Sequence, residues 1–113
     1  MKLVLLAALV AALAAPAALA GTTALTGTDG PGFTITLQKG TAKVTRLKAG
    51  TYTLRISDKS NIHNFHLTGP GVNKKTSIAK LGTTTWHVTL KKGVYKFVCD
   101  PHKTIMKGSF TVT

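Results

Sequence analysis

The sequence predicts an all-β protein, a Greek-key β-sandwich of seven to eight short strands. Three observations carry that expectation. From Phe33 onward, apolar and polar residues alternate with a period of two in one short segment after another. Turn-forming Gly, Lys and Pro residues separate the segments. After residue 20 no stretch keeps a convincing helical period, and short Thr- and Val-rich strands bounded by turns suit a sandwich.

The first twenty residues stand apart from this pattern. Lys2 precedes the apolar run LVLLAALVAALAA, and Ala18-Leu19-Ala20 supplies the small-x-small site of a cleavable signal peptide. The expectation is therefore export, to a periplasmic or extracellular space, of a chain starting near Gly21; left uncleaved, the run would act as a membrane anchor. Residues 21–32 are rich in Gly and Thr and read as a flexible lead-in to a domain at 33–113.

Within that domain, GFTITLQ places Phe33, Ile35 and Leu37 on one face of a strand. TAKVTRL follows, and then TYTLRIS, with Tyr52, Leu54 and Ile56 together. IHNFHL groups His63, Phe65 and Leu67, leaving Asn64 and His66 on the opposite side. Residues 69–82 lack clean alternation and read as a loop-rich connection with room for one short strand. TTWHVTL aligns Trp86, Val88 and Leu90, VYKFVC aligns Tyr95, Phe97 and Cys99, and GSFTVT presents Phe110 and Val112. LKAGTYTLRIS and LKKGVYKFVCD share Leu, Lys, Gly and Tyr in register, so Cys99 falls where the earlier copy has the core residue Ile56.

Charge and cysteine usage narrow the function. Fifteen Lys and Arg residues against three acids give a formal charge of +12, or +11 once Lys2 is removed with the leader. Such a field favours anionic partners and opposes self-association, which suits a monomer. The lysines form no basic run, and no helix-turn-helix or RNP pattern is present, so nucleic acid is not an expected partner. An acidic protein surface or an anionic membrane fits better, the membrane being possible but not required. Cys99 has no second cysteine to pair with, and an exposed lone thiol outside the cytoplasm is open to oxidation. Burial in the core, pairing between chains or capture by a metal would protect it.

VCDPHKTIMKG decides between these. Cys99, His102 and Met106 share one loop: a thiolate, an imidazole and a thioether. Two His, one Cys and an axial Met form the donor set of blue copper sites. Zinc prefers closed Cys/His tetrads. Pro101 limits the chain conformations ahead of His102. Strand parity then selects the fourth donor. His63 shares a face with Phe65 and Leu67, whereas His66 and His87 fall on outward faces.

These residues resemble those of a known family. G-V-Y-K-F-V-C-D-P-H followed by M-K-G is similar to the ligand loop of the plastocyanin and pseudoazurin group of cupredoxins, and Ile62-His63-Asn64 resembles their upstream His-Asn. The resemblance spans roughly Phe33 to Thr113. It implies one type 1 copper ion held by His63, Cys99, His102 and Met106, with Asn64 tying the two ligand loops together. Lys103-Thr104-Ile105 is one residue shorter than the plastocyanin spacing, which bears on the bond to Met106. The implied function is one-electron transfer and not enzymatic turnover, with Phe65 and Phe97 packed around the thiolate. The same resemblance brings His102 to the surface, where Lys103 and Lys107 would steer an acidic redox partner into a transient complex. A copper storage or delivery module would use the same four donors.

Overall fold

In the computed structural model, residues 22–113 are described; the leader assigned to residues 1–20 lies outside the described residues. Ten strands form two five-stranded mixed sheets packed face to face. In chain order they are β1 (Thr23–Asp29), β2 (Ile35–Lys39), β3 (Ala42–Lys43), β4 (Arg46–Leu47), β5 (Gly50–Asp58), β6 (His66–Gly69), β7 (Val72–Lys75), β8 (Gly82–Leu90), β9 (Gly93–Val98) and β10 (Lys107–Val112). One sheet runs β3-β2-β1-β5-β8 and the other β4-β10-β9-β6-β7. The expected all-β sandwich is thus observed, with more strand pieces than the seven to eight expected.

The alternation places the core where expected. Leu37, Tyr52, Leu54, Ile56, Leu67, Val88, Leu90, Tyr95, Phe97, Phe110 and Val112 are buried between the sheets. The repeated turn also has a shared physical basis. Tyr52 Oη donates to the Lys48 carbonyl at 2.5 Å, and Lys91 N donates to Tyr95 Oη at 2.9 Å. Each inward Tyr thereby ties its strand to the residue four positions back. Tyr95 Oη also donates to the Pro70 carbonyl, linking β9 to the β6–β7 turn.

Four expectations need correction. Residues 21–32 are not a flexible lead-in. Thr23–Asp29 is a central strand, parallel to β5 and antiparallel to β2, with Leu25 fully buried. Thr-rich composition resembled a linker, but Leu25 and Gly27 face the core, and a Cβ on Gly27 would stand 2.6 Å from Ile56. TAKVTRL is not one strand: β3 joins the first sheet and β4 the second, so this segment switches sheets at buried Val44. Phe33 does not share the core face of Ile35 and Leu37 but stands 56% exposed, because the Gly30-Pro31-Gly32 turn delays β2 until Ile35. Finally, the strand expected at 62–67 begins only at His66, so His63, Asn64 and Phe65 lie in the loop before it and all three are buried.

Candidate metal centre

Three loops at one end of the sandwich build the centre: those after β1, after β5 and after β9. The last of these loops is short and tightly bonded. Asp100–His102 form a single 3-10 turn with Pro101 in its first positions, where a missing N–H costs nothing. His102 N donates to the Cys99 carbonyl at 3.0 Å and Met106 N to the His102 carbonyl at 2.8 Å. Cys99 N then donates to the Met106 carbonyl at 3.0 Å, closing the loop on itself. The three-residue spacer therefore suffices to return Met106, fully buried, to the base of β10.

His63 and His102 turn their Nδ1 atoms toward each other at 3.1 Å. Cys99 Sγ lies 3.7 Å from His63 Nδ1 and 3.6 Å from His102 Nδ1. The point equidistant from these three atoms is about 2 Å from each, within the roughly 2.0–2.3 Å span of zinc–nitrogen and zinc–sulfur bonds. Three lone-pair donors thus converge around a space sized for one transition-metal ion. Thiolate, two imidazoles and a neighbouring buried thioether make a soft-to-borderline set that fits copper.

The two ligand loops are locked together by Asn64. Its Nδ2 donates to Asp100 Oδ2 at 2.8 Å and to the Thr76 carbonyl at 3.2 Å, while its Oδ1 accepts from Asp100 N at 2.8 Å. The Asn64 backbone N–H points at Cys99 Sγ, 3.4 Å away. Asn64 therefore holds the position assigned to it from the resemblance, although strand parity would have turned it outward. Such bonds around a ligand fix its orientation and tune the metal.

Beyond this latch, several residues escaped sequence reasoning. Asp100 also meets His66 Nδ1 at 2.8 Å, and His66 Nε2 in turn lies 2.7 Å from Asn73 Oδ1. Thr76 Oγ1 accepts from Phe65 N at 2.9 Å, giving the ligand loop a further backbone anchor. His66 is thus a half-buried structural partner and not a ligand, and His87 is exposed, as parity indicated. Phe33 packs edge-on against both imidazoles, with ring centroids 5.3 Å from His63 and 4.9 Å from His102. The break in alternation at Gly30-Pro31-Gly32 was the signal that could have placed it there.

Among the other expected residues, Phe65 and Phe97 stack at 5.4 Å in the core below the site. Lys103 and Lys107 are exposed on either side of Met106, and His102 is half-buried. The glycine of M-K-G has a steric cause. A Cβ on Gly108 would stand 2.2 Å from the Phe97 ring, so only glycine lets β10 pass that side chain.

Electrostatics follow from burial. Removal from water pushes the Cys99 thiol up, against the lowering effect of the Asn64 and His102 N–H groups, and the charges of Asp29 and Asp100 push it further up. Burial also acts to raise Asp100, yet hydrogen bonds from Asn64 and His66 and the charges of His66 and Lys103 hold it below the ordinary carboxylate range. A second acidic feature stands at the ends of β1 and β5. Asp29 and Asp58 are register partners, both buried, and Asp29 is pushed up to about 8 by desolvation and then by its neighbour Asp58.

Comparison with known proteins agrees with this geometry. The family model described as a cupredoxin-like domain matches residues 3–112. The chain belongs to the cupredoxin-like family. Among solved structures, this cupredoxin is similar to reduced rusticyanin, at 18% identity and a TM-score of 0.62 over 81% of this chain and 79% of that one. It is also similar to auracyanin A, a "blue" copper protein of Chloroflexus aurantiacus, at 17% identity and a TM-score of 0.54 over 82% of this chain and all of that one. A search of the curated proteins gave no match. Family membership and the converging donors together define a single type 1 copper site in this cupredoxin. No helix among the described residues is long and apolar enough to cross a membrane.

Proposed function

We propose that this cupredoxin is a small one-electron carrier that works outside the cytoplasm after export through its N-terminal leader. The observation that carries the reading is the triangle of His63 Nδ1, His102 Nδ1 and Cys99 Sγ, with the two ligand loops joined by the Asn64–Asp100 hydrogen bonds. A bound copper ion supplies the Cu(I)/Cu(II) couple. The chain supplies donors held in place by hydrogen bonds between and within the ligand loops. Asn64 holds the His63 loop to the Cys99 loop, and the backbone bonds among Cys99, His102 and Met106 hold the latter to itself. Rigid donors keep reorganisation small, and full burial of Cys99 keeps water from the thiolate.

His63 is buried, whereas His102 is partly exposed beside Phe33 and Ile105, so His102 is the ligand that a redox partner can approach. The lysines at 103 and 107 favour a partner with an acidic surface and a fast, salt-sensitive encounter. A delivery role would need copper to leave readily, and three buried donors on latched loops oppose that. The test is to cycle the copper-loaded protein repeatedly between ascorbate and ferricyanide in the presence of a competing Cu(I) chelator. A carrier retains its copper over many cycles. Loss of copper in the first cycles would favour storage or delivery.

A further inference from the structure

On the flank of the sandwich, a groove of about 810 Å³ opens between the two sheets. Its walls are Ile35–Gln38 of β2 on one side and Lys107–Ser109 of β10 on the other, with Phe97 and Val98 at its floor and Lys43 and Lys96 along its rim. Both walls are open strand edges. β3 and the Val44 N–H cover β2 from Leu37 to Lys39, and β4 covers β10 only at Thr111 and Val112. On the outer sides of Ile35, Thr36 and Lys107–Ser109, no strand is paired among the described residues. Natural sheets seldom leave such edges uncovered, because unpaired N–H and C=O groups template an added strand.

The charge of the groove is equally one-sided. Lys43, Lys96 and Lys107 contribute three ammonium groups, and none of the three aspartates lines it. The one ion pair among the described residues is His66–Asp100, elsewhere on the molecule, so these lysines are not neutralised from within. Among the apolar lining residues, half-buried Ile35 and Val98 offer contact to the side chains of an extended peptide.

We propose that this groove binds an extended acidic segment of a partner protein by strand addition. The uncovered stretch Lys107–Ser109 of β10 corresponds to about three or four residues of ligand at roughly 3.3 Å each. Main-chain bonds to the β10 or β2 edge would give affinity, and acidic side chains alternating toward Lys43, Lys96 and Lys107 would give selectivity. The groove runs up to the metal centre, since Val98 and Lys107 are register partners next to Cys99 and Met106. A segment held there tethers its parent protein beside the copper loop. The proposal uses the open edges and the lysines alone, so it stands or falls separately from copper binding.

The experiment uses the full mature chain, copper-free and copper-loaded, with a blocked seven-residue peptide alternating Glu and Thr, followed by amide NMR. Binding should shift the amides of Ile35–Gln38 and Lys107–Ser109 and protect some of them from exchange, with or without copper. N-methylating alternate residues of the peptide should weaken it at least tenfold, and so should the double variant K43E/K96E, whose thermal melt checks that it is folded. An alternating Lys and Thr peptide should not bind. Shifts scattered over all surface lysines with no effect of N-methylation would reduce the interaction to bulk charge and overturn the proposal. So would no binding at all, or concentration-dependent shifts of the groove amides without peptide, which would make the occupant a second copy. Copper uptake, read from the colour of the same samples, reports on the carrier reading independently.

Discussion

Truncating Asn64 tests whether the ligand loops are held by the protein itself. Asn64→Ala removes the bond from Nδ2 to the Asp100 carboxylate, the bond to the Thr76 carbonyl and the bond accepted from Asp100 N. The charged bond is worth about 1.5–3 kcal/mol and each neutral one about 0.5–1.5 kcal/mol. Asp100 is 24% exposed, so water can recover part of its share. The net expectation is a loss of about 3 kcal/mol from the metal-free protein, measured by urea unfolding with an unchanged slope. Copper affinity should fall as well, by about 10–100-fold, the usual cost of losing a partner that orients a ligand. His66→Ala removes only the more exposed partner of Asp100 and should cost less than about 1 kcal/mol. If Asn64→Ala lost under about 1 kcal/mol and kept its copper affinity, the latch would not be what shapes the site.

Other consequences can be checked in the same protein. Gly108→Ala drives a methyl group into the Phe97 ring and should cost about 1–3 kcal/mol in urea unfolding, while Ser109→Ala on the outer face should cost almost nothing. Asp29 holds its proton to about pH 8 when folded, whereas the unfolded chain releases it near the ordinary value of 3.8. The folded state thus binds more protons between these limits, and stability should fall as pH rises through that window, by up to about 1.4 kcal/mol per pH unit. Asp29→Asn should flatten this slope and be the more stable protein at pH 7; an unchanged profile would contradict the upward push that burial and Asp58 give Asp29. Met106→Leu conserves volume and should fold with a loss under about 1.5 kcal/mol, yet raise the reduction potential by removing a donor to Cu(II), as cyclic voltammetry would show. Reversing Lys103 and Lys107 to Glu should slow electron exchange with an acidic redox protein and flatten its salt dependence in stopped-flow traces.

Much of this architecture was legible because a half-buried sheet writes its period into the chain. Leu54 and Ile56, or Tyr95 and Phe97, face the core for the reason that alternate residues must. Cys99, His102 and Met106 were legible because their spacing fits one tight loop, which the backbone bonds now account for. His63 was chosen through strand parity, but it lies ahead of its strand, and three consecutive buried residues there follow no period. His63 nonetheless lies beside Cys99 and His102, because the loop ahead of the strand is buried. Thr23–Asp29 was missed because a central strand flanked on both sides can be built from Thr and Gly when other side chains supply the bulk, as Ile56 of β5 and Phe65 of the ligand loop do over Gly27. Phe33 was placed by a Gly-Pro-Gly turn whose path depends on contacts far along the chain. Asp100, His66 and Thr76 carried no local signal at all, since their roles exist only once the β9–β10 loop, the start of β6 and the β7–β8 connection meet around Asn64 and Phe65.

The central claim is that His63, Cys99 and His102 close on one copper ion through a thiolate bond. Titrating the metal-free mature chain with Cu(II), beside its Cys99→Ser variant, tests it most directly. The wild-type protein should take up one equivalent and turn intensely blue, and the variant, still folded by its melting curve, should stay pale. A colourless wild-type protein, or a blue colour that survives in Cys99→Ser, would contradict the account.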